Sequence, residues 1–274
     1  MQQSNTYIIL FSVGLTVVLG GLLAFAATSL KPAQQRSVAL DTQKQILNAV
    51  INTSELNPQE IQGKYKAQIE SFVVNYQGEE ITDDGTGKAP VAEKVNIRKE
   101  FKKITTAEKL VAAQKQDAAN EILASVQLPV FKFAGKGEGE EDAYILPTYG
   151  NGLWNNIWGF IALKSDLNTI KGVSFDHVGE TPGLGARITE SEIQGRYKDK
   201  QIYEGGALVS VTMVKGEGTP EANLGSHKVD GMSGATLTAN GVNAMLELYF
   251  KCYEPYLKRI AEVPAAPKAV AEVH

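Results

Sequence analysis

Three hydroxyl side chains lie close together late in the chain and could hold an anion. Ser233, Thr236 and Thr238 fall within the stretch Asp230–Thr238, which also carries two glycines. An apolar-periodic run follows directly, over 237–250, and predicts a long helix. A turn that feeds the N-terminus of a helix places unpaired backbone N–H groups and the positive end of the helix dipole beside these hydroxyls. This arrangement favours a phosphate group, although the hydroxyls could instead serve only as an N-cap.

The spacing of residues in this stretch resembles a known attachment signal for a flavin. Asp230, Ser233, Gly234, Ala235 and Thr236 reproduce the pattern Asp-x-x-Ser/Thr-Gly-Ala-Thr. In proteins with this pattern, the last threonine is joined to FMN through a phosphoester bond. The resemblance therefore implies that Thr236 carries FMN covalently.

A second motif, about fifty residues upstream, supports the same interpretation. The run Glu-Thr-Pro-Gly-Leu-Gly at 180–185 resembles the flavin-contacting loop of the FMN-binding domain family. Together the two motifs are similar to those of C subunits of the Na⁺-translocating NADH:quinone oxidoreductases, the Nqr complexes. G subunits of Rnf complexes are the near alternative, but the segment 150–154 and the long insertion before residue 125 favour Nqr. The resemblance covers the N-terminal apolar segment and the C-terminal half, and it is weak over 50–125.

The resemblance also implies which residues surround the flavin. Thr236 would hold the phosphate end, while Glu180 and Thr181 would hold the ribityl chain or the polar edge of the ring. Glu180 would further tune the one-electron steps of the flavin, or else face water as an ordinary charged loop residue. The other residues expected at the cofactor are Ser233, Gly234, Ala235, Thr238, Gly183, Leu184 and Trp154.

Three residues near these motifs each allow two interpretations. Trp154 belongs to a Gly-x-Gly-Leu-Trp segment, and it either packs in the core or lines the flavin pocket. His177 closes a predicted strand, and we interpret it as structural rather than as a catalytic base. Asp230 is either recognised by the attaching enzyme or bonded to its own turn. No catalytic residue is predicted in this chain.

The N-terminal segment is long and apolar enough to cross a membrane. Residues 1–30 contain no charged side chain. As a helix, 7–30 would span about 36 Å, more than the roughly 30 Å of a hydrocarbon core. Lys31-Pro32 is expected to end the membrane segment. A cleaved signal peptide is the alternative, but the apolar run is longer than a signal core and lacks a basic start.

The charge pattern and the resemblance predict opposite sides of the membrane for the globular domain. The nearest basic residues, Lys31 and Arg36, follow the segment, and the positive-inside bias would then keep the domain in the cytoplasm. The resemblance implies instead an inner-membrane protein with its globular domain in the periplasm. We follow the resemblance, because long domains are translocated largely regardless of such charges.

The remainder of the chain predicts an α+β domain with a mainly antiparallel sheet and flanking helices. Helices are expected over 33–51, 60–75, 94–124, 189–198 and 237–261, and strands over 128–133, 143–146, 157–163, 170–177 and 207–214. The expected divisions are an N-terminal tail at 1–6, a transmembrane helix at 7–30, a helical connector at 31–124, an FMN-binding domain at 125–261 and a flexible tail at 262–274.

Composition excludes several other classes of function. A net charge of -4 gives no sign of nucleic-acid binding. Cys252 is the only cysteine and the three histidines lack metal-ligand spacing, so no metal site is predicted. The basic cluster Arg98–Lys103 is either a solvated helix face or a contact for anionic headgroups or an acidic partner.

Partners follow from the resemblance and from one missing motif. The chain has no Gly-x-Gly-x-x-Gly fingerprint of a dinucleotide fold, so we expect it to relay electrons without binding NADH itself. The resemblance implies Nqr subunits of the A, B, D, E and F type, a flavin transferase and membrane lipid as partners. A membrane-tethered binding module without a cofactor is the alternative of a different class.

Overall fold

The computed structural model describes residues 4–137 and 139–262, and the chain forms two compact units, Met1–Lys44 and Gln45–His274. The predicted tails fall largely outside this description. Residues 1–3 of the N-terminal tail and 263–274 of the C-terminal tail lie outside the described residues.

Helix α1 spans Asn5–Asn48 and contains Pro32. Its most apolar window has a mean hydropathy of 2.5, and by length and composition it can cross a membrane. The helix continues through Lys31-Pro32, and the predicted helix at 33–51 is its C-terminal part and not a separate element. A proline removes one backbone hydrogen bond of a helix, while the alanines and other good helix formers on both sides keep theirs.

A five-stranded antiparallel sheet forms the centre of the second unit. Its strands follow one another in chain order: β1 Ile69–Val74, β2 Leu128–Phe133, β3 Ala143–Asn151, β4 Asn156–Lys164 and β5 Ile170–His177. The sequence did not predict β1, because 60–75 was expected to be one helix. Helix α2 covers only Pro58–Gln68, and the β-branched and aromatic residues that follow pair with β2 instead.

The remaining helices and short strands are placed around this sheet. The helices are α3 Ile97–Ala112, α4 Gln116–Ala124, α5 Ser191–Gly195 and α6 Thr236–Glu262, with 3₁₀ turns at Ala92–Lys94, Gly185–Thr189 and Glu221–Asn223. The expected strand at 207–214 is wrong as a single element. Ser210 has a φ of 62°, which interrupts an extended strand. Two small pairs result: β6 Tyr203–Glu204 with β7 Ala207–Leu208, and β8 Thr212–Met213 with β9 Lys228–Val229.

Helix α6 packs its apolar face against one side of the sheet. Its buried residues form one core cluster with alternate residues of β2, β3 and β4: Val242, Met245, Leu246, Tyr249, Phe250 and Tyr253 with Val130, Leu146 and Ile161. The Asn243 amide exchanges two hydrogen bonds with the backbone of Met213, at 2.7 and 2.9 Å, which fixes α6 to β8. These contacts hold the N-terminus of α6 beside the β3–β4 turn.

The chain enters this domain at residue 45. The Gln45 amide accepts a hydrogen bond from the Trp158 indole at 3.2 Å and donates one to Asp176 at 2.9 Å. Ile46 and Leu47 are fully buried. The end of α1 is therefore part of the globular domain, and the predicted α+β class with an antiparallel sheet is confirmed.

Candidate functional site

Three separate segments meet around one cavity of about 200 Å³. The first is the β3–β4 turn, and the second is the loop after β5. The third consists of the turn 230–235, which we call the acceptor turn, and the first residues of α6. The lining residues are Leu153, Glu180, Thr181, Leu184, Gly185, Gly234, Ala235, Thr236, Leu237 and Thr238.

Most residues predicted at the cofactor line this cavity. Those that do are Glu180, Thr181, Leu184, Gly234, Ala235, Thr236 and Thr238. Ser233, Gly183 and Trp154 lie beside lining residues in the chain but do not line the cavity. Leu153, Gly185 and Leu237 were missed as site residues, although each neighbours a predicted residue.

Glu180 joins all three segments from beneath the cavity. Its Oε1 accepts a hydrogen bond from the backbone N–H of Trp154 at 3.0 Å, and its Oε2 accepts one from the Thr238 hydroxyl at 2.6 Å. Burial alone raises the pKa of this carboxyl, but the bonds from Thr238 and from the N–H groups of 153–155 outweigh burial and lower the pKa. Glu180 is only 4% exposed, so the alternative of a charged loop residue facing water is wrong.

Gly185 allows the loop to lie directly against this hydrogen-bonded pair. A Cβ at position 185 would sit 2.5 Å from Oε2 of Glu180 and 3.2 Å from Cβ of Thr238. Such contacts are shorter than packed atoms tolerate. The second glycine of the Glu-Thr-Pro-Gly-Leu-Gly motif is therefore required by close approach.

The hydroxyls of Ser233, Thr236 and Thr238 have different surroundings. Thr238 is buried and donates to Glu180, while Ser233 is exposed and lies outside the cavity lining. Thr236 is half-buried and lines the cavity, and its hydroxyl has no hydrogen-bond partner among residues 4–137 and 139–262. Helix α6 begins at Thr236, so the residue before it is Ala235, which cannot cap with its side chain. The N-cap interpretation of these hydroxyls is thus wrong.

Trp154 lies at the rim of the site and not in the core. Its side chain is 68% exposed, and its indole N–H donates to the Thr181 hydroxyl at 3.1 Å. The core interpretation of Trp154 is wrong, because the backbone bond to Glu180 turns the chain outward here. Trp158, which belongs to β4, is half-buried and bonded to Gln45.

His177 and Asp230 both bond to the backbone. His177 Nδ1 accepts a hydrogen bond from the Glu180 N–H at 3.2 Å, which agrees with a structural interpretation. The Asp230 carboxylate accepts from the N–H groups of Gly218, Thr219 and Gly231, at 2.8 to 3.0 Å. The turn-forming interpretation of Asp230 is therefore visible in the structure.

An ion-pair network beside the acceptor turn was not predicted. Arg187 donates two parallel hydrogen bonds to the Glu217 carboxylate, at 2.8 and 2.9 Å, and Arg196 donates a third at 2.9 Å. Glu217 also accepts from the Ser233 N–H at 3.2 Å. No local pattern could have indicated this cluster, since its members are far apart in the sequence.

The donors and shape of the cavity fit the phosphate end of a flavin nucleotide. The first N–H groups of a helix have no partner within it, and in α6 these belong to residues 236–238, which all line the cavity. Leu153, Leu184 and Leu237 are 40–59% exposed and give the opening an apolar rim. Pockets that enclose a whole ligand usually hold about 300 Å³ or more. A flavin here would therefore lie partly on the rim.

Comparisons with known proteins place these features in a class. The sequence model of the FMN-binding domain family matches residues 152–251, which include both motifs and the cavity. The chain accordingly contains an FMN-binding domain, which follows an N-terminal apolar helix.

The full-length relatives are more specific. The Na⁺-translocating NADH-quinone reductase C subunit from Pseudomonas aeruginosa is 32% identical over 90% of this chain and 92% of the relative. The corresponding C subunit of Haemophilus ducreyi is 31% identical over 92% and 93%. The crystal structure of the C subunit from Parabacteroides distasonis superposes with a TM-score of 0.63 at 32% identity, covering 83% of this chain and 96% of that one. Shewanella oneidensis NqrC gives a TM-score of 0.61 at 25% identity, covering 84% and 100%.

The chain belongs to the family of Na⁺-translocating NADH-quinone reductase C subunits. Among the described residues, one helix near the N-terminus is long and apolar enough to cross a membrane, so the chain is a single-pass membrane-anchored member. These matches lend no support to the Rnf alternative or to a binding module without a cofactor.

Proposed function

We propose that Thr236 carries FMN through a phosphoester bond to its hydroxyl oxygen. The observation that carries this proposal is the contrast among the three hydroxyls. Thr236 lines the cavity with an unbonded hydroxyl, whereas Thr238 is engaged by Glu180 and Ser233 lies outside the lining. Spacing alone cannot separate the three, but their surroundings favour Thr236.

The neighbouring residues would hold the two ends of the cofactor. The N–H groups at the start of α6 would bond the phosphate oxygens, where the helix dipole also favours a negative charge. The leucines at the rim and the exposed face of Trp154 would cover the apolar ring. Thr181, which bonds the Trp154 indole, would lie between ring and phosphate.

Bound flavin takes up and releases one or two electrons, and this chain supplies its position and surroundings. We infer that the protein relays electrons within a membrane NADH:quinone reductase that translocates Na⁺, and that it does not bind NADH itself. Its partners would be subunits of the Nqr A, B, D, E and F type and membrane lipid. A flavin transferase would attach the cofactor, with the globular domain on the periplasmic side of the inner membrane.

Intact-mass spectrometry of the full chain, produced in a host with the flavin transferase, tests the attachment. The wild type should gain the mass of one FMN less one water, and a denaturing gel should show a flavin-fluorescent band. Thr236→Val keeps the branched shape and removes the hydroxyl, so this variant should stay unmodified.

Two matched variants give the control for this experiment. Ser233→Ala and Thr238→Ser should both carry the flavin, with Thr236 identified by peptide mapping. A wild-type chain of unmodified mass, or a modified Thr236→Val chain, would contradict the proposed attachment site.

Glu180 gives a second test of the flavin's position. Its ionised carboxylate lines the cavity, and a fixed negative charge disfavours electron uptake by a nearby ring. Glu180→Gln should therefore raise the midpoint potential of the attached flavin. A potential equal to that of the wild type would remove Glu180 from the tuning of the ring.

The periplasmic orientation is tested by topology reporters. Alkaline phosphatase fused after residue 262 should be active, and a cytoplasmic fluorescent protein at the same point should stay dark. The reverse pattern would place the domain in the cytoplasm, as the charge bias alone suggests.

A further inference from the structure

Glu217 makes four hydrogen bonds with a single carboxylate. Its Oε1 accepts from Nη2 of Arg187 at 2.8 Å and from Nη2 of Arg196 at 2.9 Å. Its Oε2 accepts from Nη1 of Arg187 at 2.9 Å and from the backbone N–H of Ser233 at 3.2 Å. The side chains of all three charged residues are 16–24% exposed.

These bonds connect two of the segments that line the cavity. Arg187 belongs to the 3₁₀ turn that follows the flavin-contacting loop, and Ser233 belongs to the acceptor turn. Arg196 donates a further hydrogen bond of 2.5 Å to the carbonyl of Gly231 in the same turn. Glu217 therefore ties the acceptor turn to the 3₁₀ turn at Gly185–Thr189.

The backbone around Glu217 is also locked to the acceptor turn. The N–H groups of Gly218 and Thr219 both donate to Asp230. A Cβ at position 231 would collide with the carbonyl oxygens of Val214 and Gly216, so the loop runs directly over Gly231. The loop that carries Glu217 thus covers the first half of the acceptor turn, and the Glu217 carboxylate adds a hydrogen bond to Ser233 in its second half.

The charges of the cluster decide between two roles for it. Two arginines that bind a carboxylate in a bidentate manner could also bind the phosphate of an incoming nucleotide. However, the two guanidinium groups face four carboxylates: Glu190, Glu192, Glu217 and Asp230. The cluster is acidic overall and would repel an additional anion, so its role is to position the turn.

We propose that Glu217 is a positioning residue for the covalent attachment of the flavin, because it holds the acceptor turn so that the Thr236 hydroxyl faces the cavity. This inference rests on the proposed function. In the attachment step, a bond forms between Oγ1 of Thr236 and the phosphorus on the riboflavin side of a flavin dinucleotide. The phosphoanhydride bond of that donor breaks, the nucleoside monophosphate leaves, and the hydroxyl proton passes to the leaving group or to water. No electrons are exchanged.

Small displacements of a reacting group lower rates strongly, by about a hundredfold for a misplacement of about 1 Å. Glu217→Gln replaces one carboxylate oxygen by an NH₂ group and removes the negative charge, so two of the four hydrogen bonds and the ion pairs with Arg187 and Arg196 are lost. The acceptor turn is then held less firmly. The attachment rate should fall at least about tenfold.

The test measures attachment on the full chain with the flavin transferase and a flavin dinucleotide. The fraction of chains carrying flavin is followed over time by intact mass, and the melting temperature of the unmodified chain is measured in parallel. Glu190→Gln is the matched control, since Glu190 pairs with Arg187 but is exposed and does not contact the acceptor turn. Glu217→Gln should react at least about tenfold more slowly than this control while most of the protein stays folded.

A second variant keeps the test decisive if Glu217→Gln does not fold. Arg187→Lys retains the positive charge but loses the bidentate geometry, and its attachment should also be slowed. If either variant folds and attaches flavin at the wild-type rate, the positioning role of Glu217 is overturned, but the proposed function is not. A wild-type chain that acquires no flavin would overturn the proposed function and this inference together.

Discussion

The hydroxyl of Thr238 donates a hydrogen bond of 2.6 Å to Oε2 of Glu180, across 58 positions of the chain. This bond joins the first turn of α6 to the loop after β5. It also makes Thr238 unavailable for flavin attachment, because its hydroxyl is buried and already hydrogen-bonded to Glu180. Of these three hydroxyls, only that of Thr236 both lines the cavity and has no hydrogen-bond partner among the described residues.

Glu180→Gln should destabilise the domain by about 1–3 kcal/mol, because the amide places a donor opposite the Trp154 N–H or the Thr238 hydroxyl. For a domain of this size each kcal/mol lowers the melting temperature by about 2–4 °C. Thermal unfolding of the unmodified chain measures this shift. A melting temperature within about 1 °C of wild type would show that these bonds contribute little.

The stabilisation by Glu180 should also depend on pH. The folded pKa of Glu180 is lowered from its ordinary value of 4.5, so the folded state favours the ionised form. Its contribution is complete above that value and is lost as the pH falls through the lower folded pKa. The difference in unfolding free energy between wild type and Glu180→Gln should therefore narrow below about pH 4.5. Urea titrations at neutral and acidic pH measure it, and a constant difference would contradict this account.

The sequence predicted the sheet better than the contacts that complete the site. Alternating apolar residues indicated β2 to β5, and the two motifs predicted one site for Thr236 and Glu180, which both line the same cavity. The pairing of Glu180 with Thr238 could not be read from spacing, since it depends on how α6 packs against β3. The same is true of Glu217 and Arg187, whose partnership arises only when the loop crosses Gly231.

The errors have local physical reasons. Residues 69–74 have both helical neighbours and strand-forming side chains, and pairing with β2 decides in favour of the strand. Trp154 is large and apolar, but its N–H bonds to buried Glu180 and its ring points outward. Such tertiary effects override local propensity.

Gly185→Ala should loosen the site by forcing apart Glu180 and Thr238. The new methyl group would sit 2.5 Å from Oε2 of Glu180, and overpacking of this kind costs about 1–3 kcal/mol. Gly179→Ala is the matched control in the same loop, because a Cβ there has no neighbour within 4 Å among the described residues. We expect a lower melting temperature and slower flavin attachment in Gly185→Ala only. Equal behaviour of the two variants would mean that the loop adjusts freely.

Trp154→Phe should change the circular dichroism of the attached flavin but have little effect on the stability of the fold. The side chain is 68% exposed, and surface substitutions usually cost less than about 0.5 kcal/mol. Trp158→Phe is the comparison, since it removes the part-buried hydrogen bond from the indole to Gln45 and should cost about 1 kcal/mol. Visible circular dichroism of the attached flavin should change in Trp154→Phe. An unchanged spectrum would show that Trp154 does not contact the ring.

Removal of the membrane segment should define where the folded domain begins. A chain starting at Gln45 keeps the hydrogen bonds to Trp158 and Asp176 and the fully buried Ile46 and Leu47. It should be soluble and should melt cooperatively. A chain starting at residue 53 loses these contacts, and each buried aliphatic side chain is worth about 2–5 kcal/mol. The shorter chain should therefore aggregate or melt well below the longer one in size-exclusion and thermal-shift measurements. If both melt at the same temperature, the end of α1 is not part of the core, and the domain begins after it.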